Sequence, residues 1–315
     1  MFCTHFLILE SPYRAIKLQS KNRHRLPFNT NELEITLRIL RSSPIAFAGL
    51  IISLLFVVST VVIGIGGSAI LPYDPEAISP SSVLSPPSLI HLMGTDNLGR
   101  DVLSRVLAAI PIDAQVAFTV VAFAIALGIV TGTTAGYLGG VVEEVTMRIT
   151  DIFLAFPGII LALAIAAALG PSTWNSVLAL APVWWPWYTR LARGQTLSIK
   201  SQEYVQASRA SGQRARYIVL HHIVPNLMPV ILAYATLDLG SVILAFSVLS
   251  FLGLGAQPPT SEWGLMTVQS EQYLINASWA PLAPGLAILI VAIGFSLLGD
   301  GLQRALDPTT RGLFS

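Results

Sequence analysis

The sequence predicts an all-α polytopic membrane protein with six transmembrane helices. Hydrophobic residues make up 53% of the 315 and charged residues 11%, against roughly 25% charged in a soluble domain. Mean hydropathy is +0.68. Several windows are almost free of charge over about 20 residues, the length that crosses a hydrocarbon layer of about 30 Å. The Lys and Arg residues also fall in alternate connections rather than in all of them.

In chain order, residues 1–30 read as a polar, basic cytoplasmic tail. The opening MFCTHFLILE has too short an apolar run for the core of a signal peptide, so the first span is expected to act as an uncleaved anchor. Residues 31–44 contain NELEITLRIL, with Leu33, Thr36, Leu37 and Leu40 at helical spacing and Asn31 and Glu34 disposed as a capping box. This predicts an interfacial amphipathic helix. The first span covers 45–71 and an external loop 72–111. PYDPEAISPSSVLSPPS reads as extended chain; the later part of the loop looks helical from Asp101, with Asn97 or Asp96 as caps. A core domain, 112–303, holds spans 112–136, 149–170, 174–192, 226–254 and 283–303 around a cytoplasmic segment 195–225, and 304–315 is a cytoplasmic tail. The span 174–192 carries Pro182 and Pro186, each lacking a backbone donor and favouring a kink that neighbouring helices must accommodate.

An even number of spans puts both termini on one side. Sorting the 18 Lys and Arg residues by connection leaves sixteen on that side and only Arg100 and Arg105 on the other. Cytoplasmic loops retain positive charge, so both termini and 195–225 are expected in the cytoplasm of a cell with the chain in its plasma or inner membrane.

Composition and motifs exclude several chemistries. The lone Cys3 allows neither an internal disulfide nor a thiolate metal cluster. Net charge of +1 gives no electrostatic case for nucleic acid. GQTLSIKS, residues 194–201, resembles a phosphate loop, but Ile199 stands where a second glycine must let backbone amides approach phosphate. Adjacent His221 and His222 point about 100° apart on a helix and lack a third ligand at helical spacing. No G-x-S-x-G or H-E-x-x-H occurs, so no metal site and no catalysis are expected. Arg148 and Asp151, three apart, are expected to pair locally. Asp238, inside the fifth span, either lines a translocation path or pairs with another helix. Glu262, Trp263, Tyr273 and Trp279 sit in an external stretch without Lys or Arg, as interfacial anchors, contacts for a binding protein or an external gate.

The cytoplasmic stretch EYVQASRASGQRARYIVLHHIVPN, residues 203–226, is built to dock. Tyr204, Ala207, Ser208 and Ser211 form a small-residue face, and Gly212 permits a sharp turn. Its spacing resembles the "EAA" signature of membrane subunits in ATP-binding-cassette importers: E-A-A, three residues, glycine, nine residues, I-x-L-P. Ala207, Gly212 and Pro225 match; Gln206, Ser208, His222 and Val224 depart from it. HLMGTDNLGRDVLSR, GYLGGVVEEVTMRITDIFLAFPGIILAL, SFLGLGAQPPTSEWGLM and GDGLQRALDP resemble, in order, signatures of permease subunits of dipeptide, oligopeptide and nickel importers. The likeness runs from about residue 40 to 312. The proline-rich loop after the first span makes the chain similar to the second permease of such a pair.

That resemblance implies a type I importer permease fold, pairing with a homologous permease, two cytoplasmic ATPases that carry the ATP and Mg, and an extracytoplasmic substrate-binding protein. Glu203, Tyr204, Gln206, Ala207, Ser208, Ser211, Gly212 and Pro225 are then the ATPase-coupling residues. The chain itself is expected to be no enzyme, to bind no cofactor, and to form half the path for dipeptides or oligopeptides, with nickel complexes or oligosaccharides as alternative cargo. Two other readings remain: an ion-coupled carrier without an ATPase, resting on Asp238, and a membrane scaffold for a cytoplasmic partner.

Overall fold

The computed structural model describes residues 30–306, with side chains from residue 36 onward. The expected basic tail of 1–29, the end of the C-terminal tail and the Asn31–Glu34 capping box lie outside what is described. The fold is helical: α1 (Thr30–Ser42), α2 (Pro44–Gly66), α3 (Val102–Leu138), α4 (Gly140–Leu154), α5 (Gly158–Leu169) and α6 (Thr173–Lys200) precede the segment that carries residues 201–223. There α7 (Glu203–Ala210) and the single turn α8 (Ala215–Ile218) lead through a π-turn, Val219–Ile223, into α9 (Val224–Phe251). A short α10 (Trp263–Ser270) and α11 (Trp279–Leu306) follow. Among the described residues the only strand-like pairing is an isolated bridge between Thr95 and Asp101.

Four helical stretches are long and apolar enough to cross a membrane: Pro44–Ile70, Val102–Leu138, Ala215–Phe251 and Trp279–Leu306. The expected span 149–170 is not one straight helix. α4 and α5 meet at 84°, and together they count as a fifth crossing only if the bent pair is one span. Pro157 explains the break: it has no N–H to donate, its ring disfavours helix at Phe156, and it starts α5 at N-cap geometry. The expected span 174–192 lies within the longer α6, which keeps Pro182 and Pro186 inside it and ends in Arg190, Arg193 and Lys200. Its length suffices for a crossing; its apolar stretch does not.

α3 starts at Val102, about ten residues before the predicted span, because Asp101 caps it. The Asp101 carboxylate accepts from the Ser104 N–H at 2.8 Å and hydroxyl at 2.7 Å. Asp96 is not the cap, since its carboxylate is taken by the Leu98 and Arg100 amides and by Arg100 Nε at 2.7 Å. Arg105 approaches the same carboxylate at 3.7 Å. Arg100, just before α3, and Arg105, in its first turn, are therefore buried in one ion cluster with Asp96.

α3 and α6 form the most extensive helix pair. Gly128, Gly132 and Gly136 recur every four residues along one stripe of α3, so backbone meets backbone. A Cβ on Gly128 would lie 2.4 Å from Tyr188 Cβ, and one on Gly132 would lie 2.4 Å from the Thr189 carbonyl oxygen. At the rim, the Thr131 and Thr189 hydroxyls bond at 2.9 Å. α4 is tied to the same α6 by charge: Arg193 Nε donates to Glu143 at 2.6 Å and Arg190 to Asp151 at 2.6 Å. The expected local Arg148–Asp151 pair does not form; Arg148 reaches Glu144 at 3.8 Å, because Arg190 across the helix interface already holds Asp151.

Replacing Gly132 by Leu forces α3 and α6 apart, an overpacking penalty of about 1–3 kcal/mol or more. The detergent-solubilised variant is expected to melt well below the native chain or to elute as aggregate in size-exclusion chromatography, whereas Gly194→Leu, at an α6 position with open space beside its Cα, is expected to behave as native.

Candidate functional site

Residues 201–223 are organised around a buried aliphatic side chain. Val205 is the branched aliphatic of α7, and it is buried with Ile218, Ile223, Leu227 and Ile231 in one hydrophobic cluster. Seating Val205 turns Tyr204 and Ser208 toward the bundle, half-buried and buried respectively. The outward surface is therefore Glu203, Gln206, Ala207, Ala210 and Ser211, with exposed Arg209, Arg214 and Arg216 around it. Of the four-residue face read from spacing, Ala207 and Ser211 point out and Tyr204 and Ser208 point in.

Gly212 ends α7 with φ of +76°. The Gln213 N–H returns to the Ser208 carbonyl at 3.3 Å and the Gly212 N–H to that of Arg209 at 3.1 Å, which is the Schellman closure. Nothing lies within 4 Å of a Cβ built on Gly212, so the demand for glycine there is conformational rather than steric. Two departures from the signature acquire partners in this geometry. The Ser208 hydroxyl bonds the Gln213 side-chain oxygen across the closure, and Gln206 Nε2 donates to the Lys200 carbonyl at 2.8 Å, capping the end of α6. Lys200 in turn donates to the Tyr137 carbonyl of α3 at 2.6 Å. Burial pushes the Tyr204 phenol above its ordinary value, so it stays neutral near pH 7. Pro225 lies in the first turn of α9, where a missing N–H costs least. Residues 194–200 are the last two turns of α6, so they form no phosphate-cradling loop.

Asp238 pairs with another helix. The Tyr188 hydroxyl of α6 donates to its carboxylate at 2.6 Å; Tyr188 is fully buried and Asp238 half-buried. On the opposite side, Glu262 and Trp263 are 0% and 1% exposed and present no surface to a partner. Glu262 caps α10, accepting from the Gly264 and Leu265 amides at 2.9 and 2.7 Å. Trp263 donates its indole N–H to the Val106 carbonyl of α3 at 3.0 Å, and Trp279 donates to the Thr95 carbonyl in the loop before α3 at 3.1 Å. Tyr273 is half-buried nearby. Asp113 of α3, fully buried, lies against Glu262, a contact that no spacing in the sequence announces.

Residues 124–312 match the family of binding-protein-dependent transport system inner membrane components. The chain belongs to this family. As such a permease component it is 39% identical over 306 residues to the probable D,D-dipeptide transport system permease protein DdpC of Escherichia coli (strain K12), covering 97% of this chain and 99% of that one. It is 40% identical over 269 residues to the dipeptide permease DppC of Alkalihalophilus pseudofirmus, covering 85% and 87%. It is also 40% identical over 238 residues to the nickel permease NikC of Escherichia coli (strain K12), covering 76% and 86%. The inward-facing MetNI methionine ABC transporter aligns at a TM-score of 0.46 and 18% identity, covering 61% of this permease and 95% of that chain. The glycine stripe of α3 is the main functional-site support that motif reading passed over; its four-residue spacing was the available signal.

Removing the Tyr188 hydroxyl with Tyr188→Phe leaves a buried acceptor short of its donor, a loss of about 1–3 kcal/mol. A lower melting midpoint in detergent is the expected outcome, with Asp238→Asn milder because its amide oxygen still accepts from Tyr188.

Proposed function

We propose that the chain is the second permease of an ATP-driven, binding-protein-dependent importer of dipeptides or oligopeptides. Its partners in this reading are a homologous permease, two ABC ATPases carrying ATP and Mg, an extracytoplasmic binding protein and the surrounding lipid. The observation that carries the reading is α7, a short helix closed by a left-handed Gly212, with small residues facing outward amid exposed arginines. Such a surface suits a groove on an ATPase, where small side chains allow close approach and guanidiniums meet acidic groups.

Glu203, Gln206, Ala207 and Ser211 are the docking contacts, Gly212 fixes the exit from α7, and Pro225 starts α9. Both termini face the cytoplasm in this proposal. Burial of Arg100 and Arg105 on Asp96 supports that orientation, because the two external cations are neutralised within the loop while Arg209, Arg214 and Arg216 stand exposed. Asp238 walls the translocation path, held by Tyr188. Glu262, Trp263, Tyr273 and Trp279 brace an external gate by tying α10 and α11 to α3 and the loop. The ATPases do the chemistry and this chain transmits their motion. The peptide assignment draws on the two dipeptide permeases among its relatives; a nickel complex is the second cargo reading, favoured by equal identity to a nickel permease.

Reconstitution tests the reading. The chain is expected to co-purify with two ATPases and a second permease, and the proteoliposomes to import radiolabelled dialanine only with ATP and the binding protein. Uptake that persists without ATP would establish an ion-coupled carrier instead. Gly212 gives a finer check: Gly212→Val, forced to φ of +76°, costs about 1–2 kcal/mol locally and is expected to abolish stimulation of ATP hydrolysis by the binding protein. Gly212→Asn, which tolerates that conformation, is expected to keep most of it.

A further inference from the structure

We propose that His222 is the positioning residue that locks the docking helix α7 to the transmembrane helix α9. Its imidazole neighbours the rings of both Tyr204 and Tyr217 and is steeply inclined to each. This rests on the reading of α7 as the ATPase contact and goes beyond it, because docking alone does not say which side chains carry movement into the membrane.

Four rings form a continuous chain. Tyr204 of α7 meets His222 at 6.0 Å between centroids and 73° between planes. Tyr217 of α8 also meets His222, at 5.9 Å and 75°. Tyr217 also stacks on His221 at 4.1 Å and 13°. Separations of about 4.5–7 Å with steep interplanar angles are the favoured edge-to-face arrangement of aromatic rings. His222 is thus the member that touches both the docking helix and the foot of α9, while His221 lies at the exposed end of the chain.

The backbone is arranged to put it there. Residues 219–223 form a π-turn, in which the Val224 N–H reaches the Val219 carbonyl five residues back. Pro225, without an N–H, removes the α-helical partner of the His221 carbonyl, and Asn226 Nδ2 donates to the His222 carbonyl at 2.6 Å. A π-turn holds one residue more than an α-turn, so it rotates everything before it by about 100° relative to α9. That rotation sets which of the two histidines faces Tyr204. The burial of Val205, Ile218 and Ile223 behind the rings backs the joint, so α7 and the start of α9 move as one piece. Further along the same helix α9 carries Asp238, bonded to Tyr188 of α6. The departure of His222 from the importer signature is accounted for by this contact: the position calls for a flat ring.

The test uses the assembled transporter, with its ATPases, second permease and binding protein, in proteoliposomes. It compares native chain, His222→Ala, His222→Phe, His221→Ala, Tyr204→Leu and the Tyr204→Leu/His222→Ala double variant. His222→Ala is expected to co-purify with the ATPases at native stoichiometry yet lose about fivefold or more of the binding-protein stimulation of ATP hydrolysis. His222→Phe restores stimulation, because it keeps the ring, and His221→Ala leaves it near native. The double variant is no worse than either single change, as expected for two halves of one contact. Native stimulation in His222→Ala, or failure of His222→Phe to restore it, overturns the joint. A native complex that shows no ATPase association or stimulation overturns the functional reading itself, and that outcome is read before any variant is compared.

Discussion

The close approach of α3 and α6 is the constraint on which the rest of this permease depends. Apolar side chains gain little by leaving lipid for protein, so helices in a bilayer associate through van der Waals packing and hydrogen bonds. Gly128, Gly132 and Gly136 supply that packing by presenting no side chain of α3, so that backbone and Cβ atoms of Tyr188, Thr189, Ala192 and Thr196 come directly against its backbone. Once α6 is seated, its other faces become fixed points. Tyr188 is aimed at Asp238 of α9, and Arg190 and Arg193 capture the two carboxylates that hold α4. Lys200 bonds the Tyr137 carbonyl at the end of the same pair that leads into α7.

Two ends of the molecule are then built against this frame in different ways. At the end that holds the loop before α3 the connections are buried and polar: Asp96 with Arg100 and Arg105, Glu262 capping α10, and indole N–H groups of Trp263 and Trp279 reaching backbone carbonyls. Each satisfies a group that cannot be left unpaired away from water. At the opposite end α7 follows the end of α6 and is held by one apolar anchor, a Schellman closure and a chain of rings. A small helix fixed at few points can transmit a push as a unit, while a rigid α3–α6 pair gives it something to push against.

Much of this was legible in the sequence because composition and glycine position act locally. The helical class, the long apolar helices and the turn at Gly212 follow from residue type alone. The break at Phe156-Pro157-Gly158 was also written there, yet the hydrophobicity of the residues on both sides masked it. Partner choice was not legible. Asp151 has Arg148 one turn away and instead bonds Arg190, because distance along the chain does not report distance across an interface. Tyr204 and Ser208 satisfied a small-residue pattern but turn inward, since Val205 needed a core and the helix could orient only one way. Glu262 and Trp263 looked like surface groups in a loop and are buried, because the short helix α10 that they begin packs against α9, α11 and α3.

The central claim is that α7 and α9 form one rigid lever standing on an invariant α3–α6 pair. Distance measurements between spin labels in the assembled complex test it most directly, using Cys3→Ser as background with one label pair at Arg209 and Leu232 and another at Val130 and Leu197, all exposed positions. The account predicts a single narrow distance distribution for each pair, the same without nucleotide and with ATP trapped by vanadate. A distance between Arg209 and Leu232 that shifts or broadens on trapping, while that between Val130 and Leu197 holds, would contradict it.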